Sequence, residues 1–490
     1  MRYTYISILF LLVFASIFSY AQKESNAIEG VWQHYDQYRE STITNRLIKH
    51  RDLLPLIAKH VNSKWLMSEV IGESVNQRSI HHLTAGRGKI KVLLWSQMHG
   101  DEATATMALF DLFNFLSAND QFNPLRNRLL NQLELHFVPM LNPDGAELWT
   151  RRNSMNIDLN RDAKNLATPE ARALMSLGKQ LSPHFGFNLH DQSTLYAAGK
   201  NTRNPATISF LAPAYNTEKE MNPVRTQAVQ LIASINKAIQ TKIPQQVAKY
   251  SDTHDSTCFG DTFQGMGIAT VLIESGGYPN DPDKQFIRKI NFYALLTALD
   301  AIASQSYLHE DEASYWALPN NNRNLHDLIV RKLNLGALTK DDKTDLGINF
   351  TQILSADYKT MNYSGAIVKI APLDSAFGYQ EINANGLNLV TGRTKKLSRK
   401  KWEKLSPNAE LKLIRKGYLF VKWKNEDSPI GPLQARLLNL TNAQTLPETK
   451  NAAPANFIIA KGRKPMYAVI NGFAVDLSAE AKPLKNTMGY

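Results

Sequence analysis

Four short runs in the first three hundred residues are apolar almost from end to end: "KIKVLLWS" (89–96), "LELHFVPMLN" (133–142), "FGFNLH" (185–190) and "IATVLIES" (268–275). A strand of this kind is apolar on both faces, so both faces must be covered. Between and after these runs lie stretches with apolar residues three and four apart. They are "ATATMALFDLFNFLS" (103–117), "TQAVQLIASINKAIQ" (226–240) and "FIRKINFYALLTALDAIAS" (286–304). That spacing predicts helices. Strands alternating with helices imply an α/β fold, a sheet covered by helices on both faces.

At 490 residues the chain exceeds one ordinary core. The texture changes beyond roughly residue 310: "LPNNNRN" (318–324) is a polar, linker-like patch, followed by short strand candidates such as "GAIVKIAPL", "GYLFVKW" and "MYAVINGFAVDL". The expected organisation is a catalytic α/β domain over 22–308 and a smaller β-rich C-terminal domain over 309–490. Residues 1–21 are expected to be a signal peptide. Arg2 precedes the apolar run "YISILFLLVFASIF", and Ser19 and Ala21 offer the small residues that a signal peptidase reads. The competing reading is an uncleaved membrane anchor. An exported, periplasmic or secreted protein is therefore expected. It has a single cysteine, Cys258, and can form no intramolecular disulfide.

In open α/β sheets the site lies beyond the carboxyl ends of the strands. His99 and Glu102 follow the first apolar run, His190 ends the third, and Glu274 nearly ends the fourth. Two histidines and one carboxylate are a known catalytic zinc set, with the fourth position left open for water. A buried Glu274 would have the raised pKa of a general base, or it would cap the amides of Ser275 and Gly276. "TRRNSMNIDLNRDA" is dense in Arg and Asn, and arginine forks bind carboxylates. A substrate with a free carboxylate is suggested. His81, His82, His136 and His254 lack comparable partners in sequence, so structural roles are expected for them.

The order H-x-x-E, "NPDG", "DLNRD", a strand-end His and "IESGG" resembles the carboxypeptidase A-like zinc metallocarboxypeptidases. The resemblance covers about residues 30–300. It implies an α/β/α sandwich with a mixed, mostly parallel sheet, one zinc ion held by His99, Glu102 and His190, and Glu274 as general base and acid. It further implies that Asn160 and Arg161 grip the substrate's terminal carboxylate. Arg151, with Arg152 as the alternative, would stabilise the oxyanion. The sequence departs from the pattern in two places. The only candidate for the substrate-closing tyrosine is Tyr250, slightly far upstream of Glu274. His190 is followed by Asp191 and Gln192, and Asp191 either orients a ligand, contacts substrate or caps a turn.

The activity expected from this resemblance is hydrolysis of a peptide bond near a free C-terminus. The rivals are a deacylase or amidase acting on cell-wall peptides, and a non-catalytic envelope-binding protein. The net charge is +12, and "GRTKKLSRKKWEKL" (392–405) sets seven basic residues against one Glu. This stretch is either a solvated helix or loop, or, over 393–404, a contact with an anionic envelope surface. Nucleic acid is not an expected partner, and oligomeric state is not readable.

Overall fold

The computed structural model describes residues 27–62, 65–336, 343–355, 358, 361–398, 400–401, 404–423, 439–440, 453–478 and 487–488. The expected signal peptide lies outside them. Among the described residues, no helix is long and apolar enough to cross a membrane.

The chain divides into two units, and the first comprises residues up to 199 together with 204–322. Its strands are β1 (Met67–Glu73), β2 (Ser79–Gly86), β3 (Ile90–Ser96), β4 (Leu133–Val138), β5 (Phe185–Asp191), β6 (Ala197–Ala198), β7 (Ile208–Leu211), β8 (Val247–Lys249), β9 (Ala269–Ser275) and β10 (Asn321–Asn322). Eight of them form one sheet in the order β1-β2-β4-β3-β5-β9-β7-β8. The central strands β4, β3, β5 and β9 run parallel. β2 is antiparallel to both β1 and β4, and β7 is antiparallel to β9. The sheet is therefore mixed and mostly parallel, as expected.

Both faces are covered, which explains the unbroken apolar character of the central strands. Val92 and Leu94 of β3 pack with the helices Thr104–Ser117, Pro223–Ile239 and Gln285–Ser304. Leu93 and Trp95, pointing the other way, pack with the Pro169–Leu181 helix and with Phe259 and Phe263. Four of the predicted strand runs become β3, β4, β5 and β9. "NPDG" is more than a turn: Asn142 caps a short helix, Pro143–Leu148, with its side chain accepting from the Gly145 N–H, and proline stands in the first turn.

The division falls after Asn322, later than the expected 308. Packing accounts for where this division falls. Tyr307, Tyr315 and Leu318 are buried in the first unit's core, and the Tyr315 hydroxyl accepts from the Ala212 N–H at 3.2 Å. Asn321 and Asn322 then pair with Ala198 and Ala197.

The second unit, residues 200–203 and 323–490, is β-rich. Among its described residues, strands such as Leu325–Leu333, Thr344–Leu354 and Met361–Ile370 enclose one core around Leu328, Ile348 and Phe457. A second core gathers Leu411, Ile414 and Phe420. The basic stretch is neither helix nor loop where it begins: Arg393–Leu397 is a strand, paired in parallel with Tyr418–Trp423.

One buried ion pair clasps the N-terminal segment to the first unit. Arg288 and Asp111 are both fully buried. Arg288 Nε and Nη2 donate to the two Asp111 oxygens at 2.7 and 2.5 Å, and Nη1 and Nη2 also donate to the carbonyls of Ile43 and Glu40. The Tyr35 hydroxyl and the Glu40 N–H complete the carboxylate. Arg288→Met leaves Asp111 charged and uncompensated, so it should lower the unfolding free energy by about 3–5 kcal/mol in urea titrations. A loss below about 1 kcal/mol would show that the clasp is dispensable.

Candidate active site

The site forms where three parallel strands end. β5 and β9 pair in register, with His190 directly opposite Glu274. Residues opposite each other in parallel strands share a face, and so do residues two apart. His190 and Glu274 therefore look out on the same side as Asn188 and Leu272, and all four line one cavity of about 270 Å³. β3 ends at Ser96, and the turn that follows carries His99 and Glu102 before the helix begins at Thr104. Gln97 turns the chain there with a left-handed φ of 49°, and its side chain donates to the Gly100 carbonyl at 3.0 Å. Gly100 has to be glycine for space, because a Cβ would stand 2.0 Å from the Gly145 carbonyl carbon.

His99, Glu102 and His190 converge as expected. One ligand atom from each lies within 4.8 Å of the others, and all three residues are buried. His99 Nδ1 is 2.8 Å from Glu102 Oε1, and His190 Nδ1 is 2.8 Å from Glu102 Oε2. The two Nδ1 atoms are 3.2 Å apart. Arg151 Nη1 approaches the same group, 3.0 Å from His99 Nδ1 and 3.3 Å from Glu102 Oε1.

The donor set fits a divalent zinc ion. A proton on His99 Nδ1 faces the Arg151 donor, whereas a lone pair there faces the Glu102 carboxylate, so no single tautomer satisfies every neighbour. A cation among these atoms would take the lone pairs of both imidazoles and of the Glu102 carboxylate at once. The outer support fits as well: Asp158 Oδ1 lies 3.0 Å from His99 Nε2 and fixes the ring with Nδ1 turned inward. Asp158 Oδ2 also accepts from Arg151 Nε at 3.0 Å. Asn142 ties the two loops together, donating to the carbonyls of Met98 at 3.2 Å and Arg151 at 3.4 Å.

The electrostatics separate the two carboxylates. Burial opposes charge on Glu102, but His99 and His190 outweigh it and hold its pKa well below the usual range. Burial, followed by repulsion from Glu102, raises Glu274 well above it. On His99 the Glu102 and Asp158 carboxylates overcome burial and lift the pKa to about 9. Burial lowers that of His190.

The other expected site residues divide. Arg151, Asn160, Arg161 and Tyr250 line the cavity. Arg152 is exposed outside it and donates to the Asn156 carbonyl. Asn160 accepts from the Phe259 N–H at 3.0 Å, which leaves its amide nitrogen 3.5 Å from His190 Nε2. Arg161 is about half exposed and already paired, with Nε 3.3 Å from Asp255 Oδ2 and Nη1 3.1 Å from Cys258 Sγ. Burial pushes that thiol up to about 12, which makes it a poor nucleophile. The negative charge of Glu274, then burial, raises the Tyr250 hydroxyl, so the ring already sits within the field of Glu274.

Asp158, Asp255 and Lys284 were not singled out from sequence. Asp158 lay inside "DLNRD" and could have been found there, whereas Lys284 carried no signal. His82 and His136 do have partners: their rings stack at 5.1 Å, with His82 Nε2 3.0 Å from His136 Nδ1. Glu69 and Glu134 stand at the two ends of this chain. His254 is held by the Ala214 carbonyl and Asp261.

These features place a candidate metal site, with a second carboxylate beside it, at the strand ends of an α/β frame. Residues 62–263 match the family model described as zinc carboxypeptidase. Among known proteins, the chain is 36% identical over 89 residues to carboxypeptidase SOL1 of Arabidopsis thaliana, covering 16% of this chain and 18% of that one. It is 30% identical over 135 residues to carboxypeptidase 2 of Trichophyton rubrum, covering 27% and 24%. The chain thus spans a quarter or less of the length of these relatives. Among solved structures, a metallo-carboxypeptidase from Burkholderia cenocepacia aligns over 52% of this chain and 69% of that one, at 17% identity and a TM-score of 0.43.

The raised His99 pKa sets a pH dependence for metal binding. In the metal-free protein the protonated imidazole stabilises the fold fully below its ordinary value of 6.5, and this contribution is lost as pH rises through about 9. A zinc ion held through His99 would have to displace that proton, so its apparent affinity should rise roughly tenfold per pH unit between 7 and 9 and then level off. Competition with a chromophoric chelator measures this, and an affinity flat across that range would contradict it.

Proposed function

We propose that the chain is a zinc-dependent hydrolase that cuts a peptide bond near a free C-terminal carboxylate. The observation that carries this reading is the register pairing of His190 with Glu274, which sets a raised-pKa carboxylate beside the three ligand side chains in one cavity. Zinc held by His99, Glu102 and His190 would supply a Lewis acid and a water of lowered pKa. Glu274 takes the proton of the attacking water and later delivers it to the departing amine. Arg151 faces the carbonyl oxygen and stabilises the negative charge that develops there. Asn160 and Arg161 hold the carboxylate end, and Tyr250 closes the cavity wall beside Glu274.

One observation favours a second reading. The pairing of Arg161 with Asp255 occupies part of the charge that a substrate carboxylate would need, and a deacylase or amidase acting on cell-wall peptides needs less of it. Peptide panels with free and amidated C-termini decide between the two. Cleavage of free termini alone supports carboxypeptidase action, and equal cleavage of both supports the amidase. Under either reading, Glu274→Gln should retain zinc, seen by metal analysis, with kcat lowered roughly 10²–10⁴-fold. Near-normal turnover would remove Glu274 from the mechanism.

The export expected from residues 1–21 suits contact of the second unit with an anionic envelope surface. Lys396 stands directly opposite Lys422 in the Arg393–Leu397 pairing, which gathers positive charge on this strand pair. Sedimentation with phosphatidylglycerol vesicles should retain the protein at low salt and release it at high salt. Equal retention by neutral phosphatidylcholine vesicles would refute the electrostatic contact.

A further inference from the structure

A buried lysine pairs with an aspartate at the wall of the metal cradle, and the mechanism above does not use them. Lys284 is 2% exposed and has a left-handed φ of 51° at the start of the Gln285–Ser304 helix, a conformation in which a side chain other than glycine is strained. Its ammonium donates to Asp191 Oδ2 at 3.0 Å and to the Ser275 carbonyl at 2.9 Å. The same Asp191 oxygen accepts from the Thr104 hydroxyl at 2.6 Å. The Asp191 N–H, in turn, donates to Glu102 Oε2 at 3.1 Å.

The position of this cluster gives it meaning. Asp191 directly follows the ligand His190. Ser275 directly follows Glu274. Thr104 opens the helix two residues after the ligand Glu102. One ammonium thus joins the end of β5, the end of β9 and, through Asp191, the start of the Thr104–Ser117 helix. A buried charge is tolerated only when paired and hydrogen-bonded, so the pair holds together only while these three elements stay in place. Asn291, from the helix that Lys284 opens, adds a bond to the Ser275 hydroxyl at 2.9 Å.

We propose that the Lys284–Asp191 ion pair is the positioning element of the metal cradle, fixing the separation of His190, Glu102 and Glu274 from below. Lys284 does not line the cavity, whereas Asp191 reaches its wall, so the lysine acts through Asp191 and not on the substrate directly. The inference rests on the metal reading of the site but not on which bond the site cuts.

The test uses the full chain and reads metal binding before turnover. Lys284→Met should weaken zinc binding in chelator competition by roughly 10–100-fold and alter the visible d–d spectrum of the cobalt(II)-substituted protein. It should lower kcat while leaving KM within about threefold, because substrate-contacting groups are untouched. The double variant Asp191→Asn with Lys284→Met removes both charges, so it should recover part of the lost zinc affinity. Thr104→Val, which buries no uncompensated charge, covers the case in which Lys284→Met fails to fold, and it should shift cobalt spectrum and affinity in the same direction by less. A fall in thermal midpoint with unchanged zinc affinity and cobalt spectrum would reduce the pair to a general structural role and overturn the proposal. If the unaltered protein bound no zinc, the metal reading and this inference would both fall; if it bound zinc but cut no peptide, only the proposed activity would fall.

Discussion

The site depends above all on the register of two parallel strands. β5 and β9 meet so that His190 and Glu274 stand side by side, one a ligand candidate and the other the base candidate. Side chains alternate faces along a strand, so a slip of one residue would turn one of them through the sheet into the opposite helical layer. Both layers are tightly filled: Trp95 and Phe263 pack edge to face at 5.2 Å on one side, and Phe113 and Phe137 at 5.0 Å on the other. Core packing therefore protects the register, and the register sets the chemistry.

Much of this was legible in the sequence for a specific reason. Strands apolar on both faces announce a sheet covered on both sides, and polar residues at the ends of such strands stand out against them. His99, Glu102, His190 and Glu274 could be picked out on that ground, and the structure brings them together. The supporting groups carry no such contrast. Lys284 sits between Asp283 and Gln285 in what reads as a solvated turn before a helix, and only the three-dimensional path shows it buried. The choice between Arg151 and Arg152 was unreadable for a related reason. Adjacent residues differ only in direction, and direction is set by Asp158 and Asn142, which hold Arg151 against the histidine loop.

The domain boundary illustrates the same limit. Composition changes beyond roughly residue 310, but composition registers polarity, not contact. The polar stretch that follows still delivers Tyr315 into the first core. Likewise, the basic run at 393–404 reads as solvated because lysine is soluble, whereas its first residues join a sheet through backbone bonds that charge does not reveal.

The short β6–β10 ladder has a further meaning. Asn321, at its end, donates from Nδ2 to Gln192 Oε1 at 2.9 Å, and Gln192 Nε2 reaches back to Ala206 and Ser209. Gln192 lies two residues beyond His190. The segment that leaves the first unit is therefore laced to the same strand tip that presents an imidazole to the cavity. Shortening or stiffening this exit would act as a remote adjustment of the cavity floor, and tolerance to insertion here should be poorer than its polar, loop-like composition suggests.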